Sequence, residues 1–388
     1  MKDMKRRVVL LGLLAVPFLG LAQWDSIPWS VTVWGQHRSN TLDHELGRKL
    51  VRGGFIDQPL IVAAGETQGG DMGSFGYATG LDLRWKLNRM WKESGARVCG
   101  SVQVKSVGDI RWTPELFDLV FTGNAGHLGR WDVLDGSRFR YATWVHAAIG
   151  LEGKYQNRLE AGLVCQPAGI HARVHNGYFY VDSEVDSVLG YVRAEAAFNE
   201  KPAWGIAVNA EWHFLREDAP FAFHLRLQNV GVTFVPSQNQ FAVDTMIQTS
   251  GLTFAGESWS IEALESGDFG QGLLVSNPAQ SAWSLLPGRL DASFEYPIGP
   301  RSGWDVAAQV GEWMPFPRAM TGYRRAIGKH WQAGIQIITG GWGRTRPAAW
   351  ARYRVPGERA WMLYIEDPFG WGTDGAYGRG VTLRYQSL

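Results

Sequence analysis

The chain has 388 residues, 45% of them hydrophobic, and a formal net charge of +1 at pH 7. This charge argues against a nucleic-acid partner, because such proteins usually carry a basic surface. The hydrophobic content is that of an ordinary soluble protein, but 48 glycines and 19 tryptophans are unusual. Glycine permits tight turns, and tryptophan concentrates at membrane–water interfaces.

The N-terminus has the pattern of an export signal. Four basic residues precede an apolar run from Val8 to Leu21, and Gly20-Leu21-Ala22 offers a small-residue cleavage site. We predict that residues 1–22 are a signal peptide and that the mature chain begins at Gln23. A membrane anchor is the alternative, but the run is shorter than the roughly 20 residues that a spanning helix needs.

The segment from Asn40 to Gly54 predicts a short helix. Leu42, Leu46 and Leu50 recur at helical spacing, and Gly53 and Gly54 suit a helix C-terminus. We expect this helix to fold into the mouth of the molecule as a plug-like segment.

Most of the remaining chain alternates with period two. Between residues 204 and 214 one face is apolar, and the next segment, after a short turn, repeats the pattern. We predict that the apolar faces contact lipid, here through Trp204, Ile206, Val208, Ala210, Trp212, Phe214, Phe223 and Leu225.

This alternation predicts an all-β fold for residues 23–388 as a single domain. No later stretch approaches 18 apolar residues, so a membrane could be crossed only by a closed barrel. The alternative, a soluble sandwich, would hide its apolar faces. Aromatic residues at strand ends favour a transmembrane antiparallel up-and-down β-barrel of about 14 strands.

The opposite faces of these strands carry charges of both signs. We predict that they form a charge network in the lumen, made of Arg84, Arg138, Arg140, Glu152, Glu211, Arg226, Arg289, Asp291, Glu295 and Arg384. Matched charges favour a closed or plugged barrel, since a selective pore tends to keep one sign in excess.

Residues 241–286 interrupt this alternation of apolar and polar residues. The segment is long, contains several acidic residues, and shows no clear strand. It predicts either an irregular loop outside the barrel or a plug insertion, because structureless segments of this length are usually functional.

Several short motifs resemble a Bacteroidota outer-membrane β-barrel family of unknown function, related to PorV-type and FadL-type barrels. Two of the motifs are Arg52-Gly53-Gly54-Phe55-Ile56-Asp57 and Leu286-Pro287-Gly288-Arg289-Leu290. The third, Phe117 to Asn124, is interpreted as an apolar strand ending in Gly-Asn. The fourth, Phe223 to Gly231, is interpreted as a strand ending in an Asn-Val-Gly turn. FadL-type barrels conduct hydrophobic molecules, and PorV-type barrels are partners in protein secretion. The resemblance implies one of these roles and carries no catalytic motif.

No pattern predicts an enzyme, a cofactor or a metal. His146, His213 and His224 fall on the lumen face, so pairs such as Asp82/His146 or Asp218/His213 for a hydrolase require additional assumptions. There is no Cys-x-x-Cys and no His-Glu-x-x-His. An outer-membrane hydrolase is therefore a remote alternative.

We expect a non-enzymatic protein in the outer membrane of a Gram-negative bacterium. The first hypothesis is an accessory subunit of an outer-membrane protein complex, because the inward charges neutralise each other. The alternative is a FadL-like conduit for a hydrophobic small molecule. The expected partners are outer-membrane lipid and lipopolysaccharide, other outer-membrane or periplasmic proteins, and in the alternative a hydrophobic ligand.

Overall fold

The computed structural model describes residues 28–52, 55–90, 95–123, 127–153, 155–182, 187–215, 221–250, 275–355, 359–373 and 376–387. The predicted signal peptide lies outside these residues. The helices are α1 (His44–Arg52), α2 (Gln58–Gln68) and α3 (Pro114–Thr122), with one 3-10 turn at Gly370–Gly372. The strands are β1 (Trp29–Ser39), β2 (Gly73–Met90), β3 (Arg97–Trp112), β4 (Trp131–Val133), β5 (Arg138–Glu152), β6 (Arg158–Val181), β7 (Ser187–Asn199), β8 (Ala203–Leu215), β9 (Ala222–Ser250), β10 (Val275–Leu285), β11 (Arg289–Gly299), β12 (Ser302–Gly311), β13 (Arg318–Ile327), β14 (Trp331–Gly340), β15 (Arg346–Val355), β16 (Arg359–Glu366) and β17 (Gly378–Ser387).

The strands form one closed antiparallel barrel. All 17 belong to a single sheet, and β1 pairs with both β2 and β17, which closes it. Three pairs of consecutive strands run in the same direction against a common neighbour: β4 with β5 and β7 with β8 both lie along β6, while β10 and β11 lie along β9. Each such pair is one interrupted pass, so the wall has 14 passes. The predicted fold class and the strand number of about 14 are confirmed.

The two ends of the barrel differ. Both termini of the wall, at Trp29 and Ser387, lie at one end, where Ser30 pairs with Gln386. Connections at that end are short, such as the two residues between β11 and β12, whereas the opposite end carries all three α-helices. We call these the turn end and the loop end. In membrane barrels the short turns face the periplasm.

The wall is taller on one side. Pro167 in β6, Pro236 in β9 and Pro278 in β10 fall at shifts of register between adjacent strands, and Pro202 lies between β7 and β8. Proline cannot donate to the strand ladder, so it is confined to such irregular places. Beyond this row of prolines, β4, residues 167–181 of β6, β7, residues 238–250 of β9 and β10 continue as an upper wall.

The three helices form an apolar cluster at the loop end. Leu46 and Phe117 are buried there together with Trp112 at the end of β3, and Leu42 and Phe75 pack against them. Ser74 and Arg111 face the lumen, because they donate hydrogen bonds to the loops that fill it. Their neighbours Phe75 and Trp112 therefore lie on the outer side of the wall. The predicted helix is present, but its buried face packs on the outer side of β1–β3. No helix among the residues that the structure describes is long and apolar enough to span a membrane.

Several local predictions are corrected. Residues 117–122 are helical rather than extended, because Thr113 caps α3 by accepting from the Leu116 amide and Pro114 follows as its first residue. Leu50 is largely exposed, outside the apolar cluster. Gly53 and Gly54 lie outside the described residues.

Two further corrections concern β9 and its neighbour. The segment 241–286 is not irregular throughout, because residues 241–250 complete β9 and residues 275–285 form β10. Residues 251–274 lie outside the described residues. The predicted turn at Asn229-Val230-Gly231 is instead a bulge within β9, where Asn229 adopts a φ of 53° and the strand continues.

Candidate functional site: the lumen and the loop-end mouth

A balanced ion-pair cluster crosses the lower lumen. Arg84 of β2 bonds to Asp82 at 2.9 Å and reaches Glu211 of β8 at 2.8 Å. Arg226 of β9 contacts Asp82 at 3.3 Å and Glu211 at 3.9 Å. Two guanidinium groups therefore face two carboxylates, and two of the contacts join strands that are not neighbours in the wall. We call this the lower cluster.

Two connections from the loop end fold into the upper lumen. Glu312, which follows β12, forms an ion pair with Lys105 of β3 and a second one with Arg289 at 3.2 Å. Trp342, in the β14–β15 connection, is buried, and its indole Nε1 donates to Asp109 at 3.1 Å. Over the described residues, these loops rather than the predicted N-terminal helix fill the barrel interior.

Glycines make room for indoles in this interior. A Cβ at Gly76 would lie 2.2 Å from the Trp342 ring, and one at Gly80 would lie 2.6 Å from the Trp34 ring. These close approaches are possible only for glycine. Some of the tryptophans therefore pack inside the barrel, in addition to those on its outer surface.

The other predicted lumen charges also lie on the inner face. Arg138 and Arg140 contact Asp109, Glu152 contacts Lys86, Arg289 bonds to Asp291, and Glu295 pairs with Arg324. Arg384 lies opposite Thr32 on the same face and is exposed.

The predicted lipid-facing residues vary in exposure. Trp204, Ile206, Val208, Trp212 and Phe214 are exposed, Phe223 and Leu225 are half-buried, and Ala210 is covered by its neighbours. Contact with lipid itself stays a prediction.

An unbalanced arginine cluster lies at the loop end. The Glu366 carboxylate is shared by three guanidinium groups: Arg318 donates to Oε1 at 2.6 Å, Arg346 donates to Oε2 at 3.2 Å, and Arg38 forms an ion pair with the same oxygen. All four side chains are buried. Above Arg38 and Arg346 is a cavity of about 270 Å³, which we call the arginine pocket.

The upper wall carries an aromatic strip. Trp131 stacks on Tyr180 at 4.8 Å between ring centroids, Tyr178 stacks on Tyr191 at 5.3 Å, and Met246 lies opposite Tyr191 in the strand register. Trp131 is 55% exposed and Met246 64% exposed. The strip is defined as these five residues.

The register places this strip on the inner side of the wall. Glu195 lies opposite Arg173, and Arg173 lies opposite the lumen-facing Arg138. Tyr191 has the same parity as Glu195, and its partner across the strands is Tyr178. The sequence did not reveal the strip because bulges in β6 reverse its alternation twice, at Gln166–Pro167 and again at His175.

The hydrolase hypothesis gains no catalytic arrangement from the described residues. His146 bonds to Asn229 at 3.0 Å, while Asp82 is engaged by Arg84 and Arg226. His213 contacts Glu211, and Asp218 lies outside the described residues. No group of three potential metal-binding His, Cys, Asp or Glu side chains occurs in the part of the chain that the structure describes.

The resemblance of this chain to known proteins is confined to solved structures and is at low sequence identity. No protein family matches the sequence, and no curated protein matches it. Among solved structures, the chain is similar to a Pseudomonas aeruginosa FadL homologue (12% identity, 93% of this chain and 89% of that one, TM-score 0.42) and to the Pseudomonas putida toluene transporter TodX (6%, 93% and 88%, 0.37). It is also similar to the β domain of the Bordetella autotransporter BrkA (11%, 93% and 98%, 0.30). These neighbours include FadL-type outer-membrane barrels; the relation to PorV-type barrels and to Bacteroidota stays a prediction.

Proposed function

We propose that this protein is an outer-membrane conduit that captures a small hydrophobic molecule at its loop end. The observation that carries the proposal is the aromatic strip. An apolar surface that faces the interior of a barrel, and stays exposed, is a feature of ligand sites. Stacked rings would hold a flat apolar molecule, because aromatic pairs gain energy beyond their buried area.

Onward passage requires the β12–β13 connection to move. The ion pair between Glu312 and Lys105 spans the lumen below the strip. Glu312 and Trp313 have φ angles of 52° and 62°, which non-glycine residues rarely adopt. Such strain concentrates at sites of conformational switching. We therefore assign residues 312–317 the role of a gate, closed in this structure.

The experiment compares the Trp131→Ala variant with Trp371→Ala. Both residues are exposed tryptophans at the loop end, at 55% and 49%, and only Trp131 belongs to the strip. The protein would be held in an amphipathic polymer and titrated with radiolabelled naphthalene by equilibrium dialysis. We expect Trp131→Ala to bind at least fivefold more weakly than the wild type, and Trp371→Ala to bind like it. Equal binding by all three would contradict the proposal.

An accessory role in an outer-membrane complex is the second candidate. The observation that favours it is the lower cluster, whose matched charges cross-link strands of the wall. Extraction of the native protein in mild detergent, followed by a native gel, separates the two candidates. A reproducible large assembly with co-purifying chains would support the accessory role, whereas a lone barrel would leave only the conduit.

A further inference from the structure

The arginine pocket has more buried donors than the described residues satisfy. Arg38 is 1% exposed, and its Nε and Nη1 have no hydrogen-bond partner there. Arg346 is 8% exposed, and its Nη2 is also without one. Leaving a buried charged donor without a partner is costly. Both residues line the same cavity, so a ligand there would lie against two incompletely paired guanidinium side chains.

The charges around this pocket do not balance. Arg38, Arg318 and Arg346 share the single carboxylate of Glu366. Asp367 also lines the cavity, but one of its carboxylate oxygens accepts from the Gly370 amide. Arg344, at the rim, donates to the carbonyl groups of Asn40 and Thr67 and lies over the Tyr377 ring. The described side chains thus leave an excess of positive charge.

Two glycines of the surrounding backbone make room for the Arg38 side chain. A Cβ at Gly378 would lie 2.8 Å from Cγ of Arg38, and one at Gly343 would lie 3.2 Å from its Cβ. Both glycines line the cavity. A side chain at either position would displace Arg38 from its place at the base of the pocket.

We propose that the arginine pocket binds a phosphate group. Phosphate carries a charge of about −1.5 to −2 at neutral pH and accepts several hydrogen bonds at once. This suits Arg38 and Arg346, the two arginines sharing Glu366 that line the cavity. Guanidinium groups match phosphate oxygens in geometry and remain charged when buried. The cavity accommodates the phosphate together with a small organic remainder. This site is independent of the aromatic strip, which lies on another part of the wall.

The phosphate has two possible sources, and the test separates them. Lipopolysaccharide-free protein, refolded in detergent, is titrated with inorganic phosphate by calorimetry, with chloride at equal ionic strength as the blank. The second arm titrates the protein with detergent-dispersed lipid A and with dephosphorylated lipid A. Binding of inorganic phosphate identifies a soluble phosphorylated molecule as the ligand class. Binding of lipid A alone, lost on dephosphorylation, identifies the lipid headgroup.

Arg346→Gln is the test variant and Arg193→Gln is its control. Arg193 lies on the upper wall, is 64% exposed, and does not line the pocket. We expect Arg346→Gln to bind phosphate at least tenfold more weakly and Arg193→Gln to bind like the wild type. If Arg346→Gln fails to fold, Gly343→Val, which adds bulk at a lining residue and presses on Arg38, is expected to abolish binding. Absence of binding in both arms, or equal binding by the pocket variants and the control, would overturn the proposal.

Discussion

The lower cluster and the arginine cluster around Glu366 are both groups of charged side chains inside one barrel, and they differ in balance. In the lower cluster Arg84 and Arg226 face Asp82 and Glu211. At the loop end, Glu366 alone is shared by three arginines. Strand alternation places both groups on the inner face. The difference shows that inward charges of the same parity can be matched by partners or left in excess, and that alternation along a strand does not decide which.

Removal of a carboxylate should affect the two groups differently. Glu366→Gln leaves three buried guanidinium groups without their shared partner, which we expect to cost about 3–5 kcal/mol of stability. Glu211→Gln in the lower cluster is the matched variant. We expect both to lower the unfolding temperature in detergent, but phosphate should partly restore only Glu366→Gln. Restoration of both, or of neither, would show that the two groups do not differ as described.

The sequence was sufficient to predict the strands of the lower wall, below the row of prolines, which we call the belt. Alternation needs no knowledge of tertiary partners, because a strand always sends neighbouring side chains to opposite faces. The run from Trp204 to Phe214 therefore predicted both its strand, β8, and the inner position of Glu211. Local chemistry also predicted the helix at residues 44–52 from its leucine spacing.

The sequence could not predict the two loop-end sites, the aromatic strip and the arginine pocket, for two physical reasons. Bulges at Pro167 and His175 each shift the alternation of β6 by one residue. The pattern in the first half of β6 therefore does not show whether Tyr178 and Tyr180 face inward or outward. The arginine cluster around Glu366 joins β1, β13, β15 and β16, and which arginines share Glu366 depends on closure of the whole barrel. Likewise, nothing local shows that Glu312 reaches Lys105 across the lumen.

The outer face of the belt can be tested against its inner face. Val208 is exposed on the outer side of β8, opposite Val230 of β9. We expect Val208→Arg to destabilise the folded barrel in a bilayer by about 2–4 kcal/mol, the cost of an arginine at the midplane. The measurement is the folded fraction after assembly into vesicles. Ser293→Arg, on the inner face beside Glu295 and Asp305, is the control and should assemble nearly normally.

The smallest effect on stability is expected from protonation of Glu195 on the upper wall, because the charges there are solvent-exposed. Burial raises the pKa of Glu195, but hydrogen bonds from His175 at 2.9 Å and His171 at 3.2 Å outweigh it and hold the pKa below its usual value. The folded state therefore favours the carboxylate. Its contribution is present above the ordinary glutamate pKa of about 4.3 and is lost as pH falls through the lowered one.

This loss should stay local, because Glu195 is 46% exposed and solvent screens its contacts. Hydrogen-exchange protection of the β6–β7 upper wall, corrected for the intrinsic rate at each pH, should fall between pH 6 and pH 3 in the wild type. Glu195→Gln should show the lower protection already at pH 6 and little further change. The belt strands should keep their protection in both proteins over this range. An equal loss of protection in Glu195→Gln would mean that a group other than Glu195 controls the pH dependence of the upper wall.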